Sequence, residues 1–259
     1  MNRAAPKIAL KGLKKRVGPK VVLDGIDLEV ATGESMVVIG GSGTGKSVML
    51  KCVIGIMEPD DGTVLIDGED TTHLTGSDRT QVMRKFGMLF QGSALFDSLK
   101  VWENVAFGLI QGRGAPRSEA QAIAVQKLAA VGLPPEVGEL WPAELSGGMQ
   151  KRVGLARAIA AEPEIIFFDE PTTGLDPIMG DVINDLIVRC REQLGATTLS
   201  ITHDMASARK IADRVAMIHE GRIVWSGPIS EINRSGNSFV DQFIHGRAEG
   251  PIKMPVRVR

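Results

Sequence analysis

The eight residues Gly40-Gly41-Ser42-Gly43-Thr44-Gly45-Lys46-Ser47 constrain this chain more than any other stretch. They fit the pattern G-x-x-x-x-G-K-[ST]. A short apolar, β-rich run, residues 36–39, precedes them, and a helical pattern, residues 47–56, follows. Strand, glycine turn and helix in that order form a cradle for phosphate. The glycines let successive backbone N–H groups turn inward, and the helix N-terminus adds a favourable dipole for an anion. Lys46 offers a point charge to the β- and γ-phosphates of a nucleotide. The Ser47 hydroxyl is a hard oxygen ligand of the kind Mg²⁺ prefers.

A second element complements the first. Ile165-Ile166-Phe167-Phe168-Asp169-Glu170 reads as a buried strand with two carboxylates at its C-terminal end, where ligands bind in open parallel sheets. Asp169 can hold Mg²⁺ through water, and Glu170 can polarise an attacking water as a general base. Residues 197–202 read as a further buried strand. Between the two strands, Ile183, Leu186, Ile187, Cys190 and Leu194 fall at helical spacing. Residues 214–218 and 222–225 flank His219-Glu220-Gly221 and suggest a hairpin. Strand and helix in alternation predict an α/β fold with a largely parallel sheet.

Residues 92–161 break the alternation, with helical patterns and no convincing strand, so a helical subdomain is expected there. Within it, Ser118 to Gln121 has the form of a capping box, and Gly132 suits a helix stop. Beyond Gly236 the periodicity fades into a tail. Val240, Phe243 and Ile244 fit one face of a short helix there. An extended stretch is expected after Gly250-Pro251, with Pro255 preventing a long helix.

Bulk properties narrow the function. The chain has 259 residues and a net charge of −1, which does not suggest a nucleic-acid binder. No apolar run approaches the ~18–20 residues that a membrane span needs, and Lys7 and Lys11 interrupt any signal-like stretch. Cys52 and Cys190 form no disulfide framework, as expected in a reducing, cytoplasmic setting. The first 20 residues carry seven Lys or Arg and no Asp or Glu. Either these are solvated ends, or one end lies near acidic lipid head groups or an acidic partner.

Leu145-Ser146-Gly147-Gly148-Met149-Gln150 closely resembles the signature motif of the ABC ATPases, with Met149 where glutamine is commonest. Gln91 matches that family's Q-loop glutamine, His203 its switch histidine and Gly174-Leu175-Asp176 its D-loop, all in the family's order. The resemblance covers nearly the whole chain. It implies a P-loop NTPase with a RecA-like core, a largely parallel sheet, an antiparallel β region and an inserted α-helical subdomain. The ATPase domain would span residues 1–237, with core 1–91 and 162–237 and helical subdomain 92–161. Residues 238–259 would be a tail that reaches the neighbouring subunit, the alternative being a disordered end whose short helix packs on its own subunit.

The same resemblance implies ATP and Mg²⁺ as cofactors. Lys46, Glu170 and His203 would be catalytic, and Ser47, Gln91 and Asp169 would serve the metal. Two copies would face head to tail. Ser146, Gly147, Gly148 and Gln150 of one chain would then complete the ATP site of the other, and Asp176 would communicate across the dimer. The signature also makes sense locally. Ser146 to Gly148 open a helix with apolar face Met149, Val153, Ala156 and Ala160, a second helix end suited to phosphate. One departure stands out. The family usually stacks the adenine on an aromatic residue upstream of the phosphate loop. Here the matching position is near Lys15 or Arg16, and the chain has no tyrosine.

Residues 89–99, 101–107 and 239–246, with Gly250-Pro251, further resemble the ATPases of the Mla phospholipid systems. Relatives of those ATPases are named for organic-solvent resistance and chloroplast lipid import. That resemblance implies a permease dimer, a STAS-domain protein and a mammalian-cell-entry-type lipid-binding protein as partners, at the cytoplasmic face of the inner membrane. Phe96, Leu99, Val101 and Trp102 would lie at or near the permease groove, or else form ordinary subdomain core. An ATPase of a generic small-solute importer, and a non-transport ABC ATPase, are the alternative readings.

Overall fold

The structure is a computed structural model and describes residues 5–253. Among these, ten strands follow in chain order: β1 (Ile8–Val17), β2 (Lys20–Val30), β3 (Ser35–Ile39), β4 (Asp61–Ile66), β5 (Glu69–Asp70), β6 (Phe86–Leu89), β7 (Ile165–Asp169), β8 (Thr197–Thr202), β9 (Arg214–His219) and β10 (Arg222–Pro228). The α-helices are α1 (Lys46–Ile54), α2 (Gly76–Met83), α3 (Val101–Phe107), α4 (Arg117–Ala130), α5 (Gly147–Ile159), α6 (Pro177–Leu194), α7 (Met205–Ile211) and α8 (Ser238–Ile244).

The larger sheet has the order β10-β9-β3-β8-β7-β6. Its neighbours from β9 to β6 pair in parallel, and β10 runs antiparallel to β9. The smaller sheet, β2-β1-β4-β5, is antiparallel throughout. Successive side chains point to opposite faces of a strand, and both faces of the large sheet are covered. Met36, Val38, Ile165 and Phe167 join α1 and the small sheet in one core. Val37, Ile39, Ile166 and Phe168 join α3, α4, α5, α6 and α7 in the other. This two-sided burial explains why β3 and β7 read as unbroken apolar runs.

Two hairpins close on two-residue turns with both residues at positive φ, the primed type that suits strand twist. They are Asp67-Gly68, at 54° and 82°, and Glu220-Gly221, at 46° and 75°. At Gly221 a Cβ would come within 2.6 Å of the Val22 carbonyl oxygen. The second turn is therefore pressed against β2, and only glycine fits.

No strand lies between Leu89 and Ile165 among the described residues. α4 ends in a Schellman motif: Gly132, at φ 73°, donates to Ala129 O, and Leu133 N donates to Leu128 O. The start of α4 corrects the expected capping box. The helix begins at Arg117 after Pro116, whose fixed φ sets the entry, so Ser118 already lies inside it and caps nothing. Val101 and Trp102 are buried in the helical core, and Arg117 lies 4.9 Å over the Trp102 ring. They are core residues, whereas Phe96 is 43% exposed and stacks on Phe107 at 4.5 Å.

Half of the described basic residues of the N-terminal run are paired within their own chain. Lys7 is buried between Asp67 and Glu164, Lys14 pairs with Asp61, and Lys15 pairs with Asp60. Arg3, Arg257 and Arg259 lie outside the described residues. The described part of the tail packs on its own subunit. Val240 is fully buried, Phe239 stacks on His219 at 4.8 Å, and Asn237 Nδ2 donates to Val224 O. The buried Gln242 amide binds both Arg247 O and Ile252 O and accepts from Ile252 N, folding the chain back on α8. Pro255 lies outside the described residues. Both cysteines are core: burial pushes the Cys52 thiol up to about 11 and raises that of Cys190 as well.

Close packing of α5 on β6 depends on Gly87, where a Cβ would meet Ala158 O at 2.1 Å and Pro163 Cγ at 2.9 Å. Gly87→Ala is expected to destabilise the fold by about 1–3 kcal/mol through overpacking, read as a lower urea midpoint with an unchanged slope.

Candidate nucleotide site

The site lies at the C-terminal ends of three adjacent parallel strands. In β3 and β8, Ile39 pairs with Thr202; in β7 and β8, Asp169 pairs with Ile201. This brings together the Gly40–Ser47 loop, the Asp169-Glu170 pair and His203, which are separated by up to ~160 residues in sequence. The loop turns on Gly40, Gly43 and Gly45, at φ 155°, 73° and 109°. At Gly40 a Cβ would come within 2.5 Å of Ile218 O, and at Gly45 within 2.8 Å of Val22 O. Thr44 Oγ1 donates to Gly41 O at 2.9 Å and tightens the turn. Lys46 is 7% exposed and donates to Gly40 O at 2.6 Å and Gly41 O at 3.0 Å. Burial pulls its ammonium below the ordinary lysine value, while Glu170 and Asp169 push it back up. Ser47 is exposed at the mouth of the loop.

Glu170 is 8% exposed and adopts a left-handed backbone, φ 47°, a strained conformation of the kind found at functional sites. Its Oε2 accepts from Thr173 Oγ1 (3.2 Å), Thr202 Oγ1 (3.2 Å) and His203 N (3.3 Å), with His203 Nδ1 at 2.9 Å. Oε1 faces Lys46 Nζ at 3.9 Å. One oxygen is thus anchored and the other turned toward the phosphate loop. Asp169 Oδ1 is buried and has no hydrogen-bond partner. Burial, and then the Glu170 carboxylate, push the Asp169 carboxyl above its ordinary value, against Lys51, Lys151 and Lys46. An unsatisfied carboxylate oxygen in a phosphate site fits a hydrated Mg²⁺, which takes one or two protein oxygens and keeps several waters.

The turn after β6 carries Gln91, whose side chain is exposed. Its backbone is clamped by α5. Lys151 Nζ donates to Gln91 O and lies 3.4 Å from Glu170 O. Arg157 donates to Ser93 O and, at 2.6 Å, to Ala94 O. Ser93 and Ala94 sit at φ 60° and 47°. Sequence reasoning missed Lys151, Arg157, Thr173 and Thr202. Lys151 did carry a signal, because it falls on the buried stripe shared with Gly154, Leu155 and Ala158, where a charge is out of place.

The remaining motif residues sit apart from the phosphate loop on their own chain. Ser146 caps α5, accepting from Met149 N at 3.3 Å, so the signature does open a helix. At Gly148 a Cβ would meet Met179 Cγ at 2.9 Å, which places the signature against the start of α6. Gln150 Nε2 donates to Pro142 O (3.0 Å) and Leu145 O (3.4 Å) and fixes the preceding turn. Asp176 caps α6, accepting from Ile178 N and Met179 N at 3.0 Å each.

Beside the phosphate loop, a cavity of 290 Å³ is lined by Lys20, Val21, Val22, Gly43, Thr44 and His219–Gly221. Lys15 and Arg16 are not among these residues: Lys15 Nζ donates to Asp60 at 2.7 Å, and the Arg16 backbone N–H donates to Asp60 at 2.6 Å while its guanidinium donates to Pro19 O at 3.1 Å. A base entering here meets the Val21 and Val22 side chains, the Lys20 stem and the hairpin that carries His219. With no aromatic residue upstream of the loop to supply stacking worth ~1–3 kcal/mol, base discrimination should be weak, with kcat/KM for GTP within roughly tenfold of that for ATP. Competition between the two nucleotides measures this.

Residues 23–173 match the family described as ABC transporter. Over 247 residues the chain is 40% identical to the probable ribonucleotide transport ATP-binding protein mkl of Mycobacterium leprae, covering 95% of this chain and 71% of that one. It is 38% identical to the intermembrane phospholipid transport system ATP-binding protein MlaF of Haemophilus influenzae, covering 95% and 93%. Its fold matches the dimeric, post-hydrolysis ATP-binding cassette MJ0796 bound to ADP and Pi, with TM-score 0.79, 33% identity and coverage of 86% and 98%. With a phosphate loop, paired carboxylates and a signature helix in place, the chain belongs to the ABC transporter family as an ATP-binding, ATP-hydrolysing subunit.

Proposed function

We propose that this subunit hydrolyses MgATP between two head-to-tail copies of itself. Its partner would be a permease dimer at the cytoplasmic face of the inner membrane, and its cargo phospholipid or another hydrophobic compound. The observation that carries the chemistry is the anchored Glu170. Three protein donors and the His203 ring hold Oε2, so the carboxylate is fixed while Oε1 faces Lys46 of the phosphate loop. Glu170 takes the proton of the attacking water. His203, its side chain 55% exposed, reaches toward the γ-phosphate. Lys46 exchanges the Gly40 and Gly41 carbonyls for phosphate oxygens. Ser47, Asp169 and Gln91 would hold Mg²⁺, which neutralises charge developing on the phosphates.

The second site half comes from the other copy. The α5 N-terminus, with Ser146, Gly147 and Gly148, presents free N–H groups and has no lysine-bearing loop of its own to serve. Gln150 positions that end, and Asp176 braces the turn beside it. Closure excludes water, and hydrolysis reopens the pair. Glu170→Gln is expected to bind MgATP, to lose nearly all turnover, and to accumulate as an ATP-bound dimer on size exclusion. Normal turnover in this variant would remove the base assignment.

The lipid reading is supported by the MlaF relative and by the segment after Gln91. The buried Asn104 side chain organises residues 96–100, accepting from Phe96 N and donating to Phe96 O, Leu99 O and Lys100 O. The result is an outward Phe96 stacked on Phe107, suited to a hydrophobic partner helix. A STAS-domain protein and a mammalian-cell-entry-type lipid-binding protein would complete the assembly. The mycobacterial relative's name favours a nucleotide cargo instead. Stimulation of the purified complex's ATPase by phospholipid, and not by ribonucleotides, decides for lipid. Phe96→Ala is expected to lower permease recovery in co-purification severalfold while basal ATPase stays unchanged.

A further inference from the structure

α5 touches three parts of the site at once. Its first residues form the anion-binding end, with Ser146 as cap. About 7.5 Å along the helix, Lys151 reaches the Gln91 and Glu170 carbonyls. About 16 Å along it, Arg157 grips the Ser93 and Ala94 carbonyls. The helix itself is seated tightly on β6 and this turn. At Gly154 a Cβ would meet Leu89 Cδ1 at 2.8 Å and Ser93 Cβ at 3.4 Å.

Lys151 is 5% exposed and makes no carboxylate ion pair among the described residues. A buried ammonium without a counter-ion in contact is costly. Here its hydrogen bonds go to main-chain carbonyls in two loops that flank the same nucleotide. A bond to a carbonyl fixes the backbone whatever the side chain does. Turns held in left-handed conformations at Glu170, Ser93 and Ala94 need such a restraint, because they are not self-stabilising.

We propose that Lys151, supported by Arg157, is a positioning residue that couples the two ATP sites of the dimer. In the head-to-tail pair, α5 of one chain meets the nucleotide bound by its partner. Lys151 and Arg157 transmit that engagement to the Gln91 turn and Glu170 of their own chain. Each ATP then sets the geometry in which the other is hydrolysed. This rests on the roles given above to Gln91 and Glu170. It adds the physical link between them and the signature.

Lys151→Met, Lys151→Arg and Arg157→Lys in the full-length chain test the link, alongside wild type. Three quantities are read: affinity for a fluorescent ATP analogue without Mg²⁺, kcat, and the Hill coefficient for ATP. Lys151→Met should keep the affinity, lower kcat roughly ten- to a hundredfold, as for a displaced catalytic group, and bring the Hill coefficient from about 2 to about 1. Lys151→Arg should restore much of both, because a guanidinium can serve two carbonyls. Arg157→Lys, which keeps the charge but loses the forked donor, should lower the Hill coefficient with a native urea midpoint, and it keeps the test alive if Lys151→Met does not fold. An unchanged Hill coefficient in the folded variants overturns the proposal. So does a parallel loss of affinity, kcat and stability in Lys151→Met and Lys151→Arg alike. Glu170→Gln, run in the same series, separates the premises: normal turnover there sinks the base assignment, while the Hill coefficients still decide on Lys151.

Discussion

The parallel pairing of β3, β8 and β7 is the constraint on which the site depends. Each strand delivers one working group at its C-terminal end, and the ladder fixes their relative height. Ile39 opposite Thr202 and Asp169 opposite Ile201 leave no freedom to slide, because a one-residue slip would exchange the side chains packed in the two cores and spoil the close packing of both. Thr202 then serves both the ladder and the carboxylate of Glu170. The relative placing of these groups is therefore a property of the sheet rather than of any one loop.

Charge is balanced within this arrangement. Lys46 and Lys151 are both buried, as is Glu170, with Asp169 half-buried beside them. Each lysine is penalised by burial and favoured by the two carboxylates, so their charged forms depend on one another. Such opposed shifts are typical of reaction centres. A triphosphate and a divalent cation add charges of both signs, so a bound nucleotide can be accommodated without rebuilding the core.

Much of this was legible in the sequence, for a physical reason. β3, β7 and β8 are buried on both faces and so appear as apolar runs, and the phosphate loop can be read directly because its glycines answer to specific close contacts at Gly40 and Gly45. The strands of the small sheet were not individually legible. β1 carries lysines on its open face, and its register shifts around Gly12 break the alternation. β6 has only four residues. Ser118 misled because Pro116 sets the entry to α4. Trp102 could not be placed until α3 was seen to turn it inward. The clamp of Lys151 and Arg157 was illegible because its acceptors are backbone carbonyls, which no side-chain pattern records.

The state of the two cysteines has a practical side. At a pKa of about 11, the Cys52 thiol is ionised in roughly one molecule in ten thousand at neutral pH. Cys190 is equally enclosed, at 2% exposure. Alkylating reagents thus find no ready target in the native chain. A single cysteine placed at an exposed signature or tail position would be the one reactive thiol, and a probe attached there could follow the approach of two copies without first removing the natural cysteines.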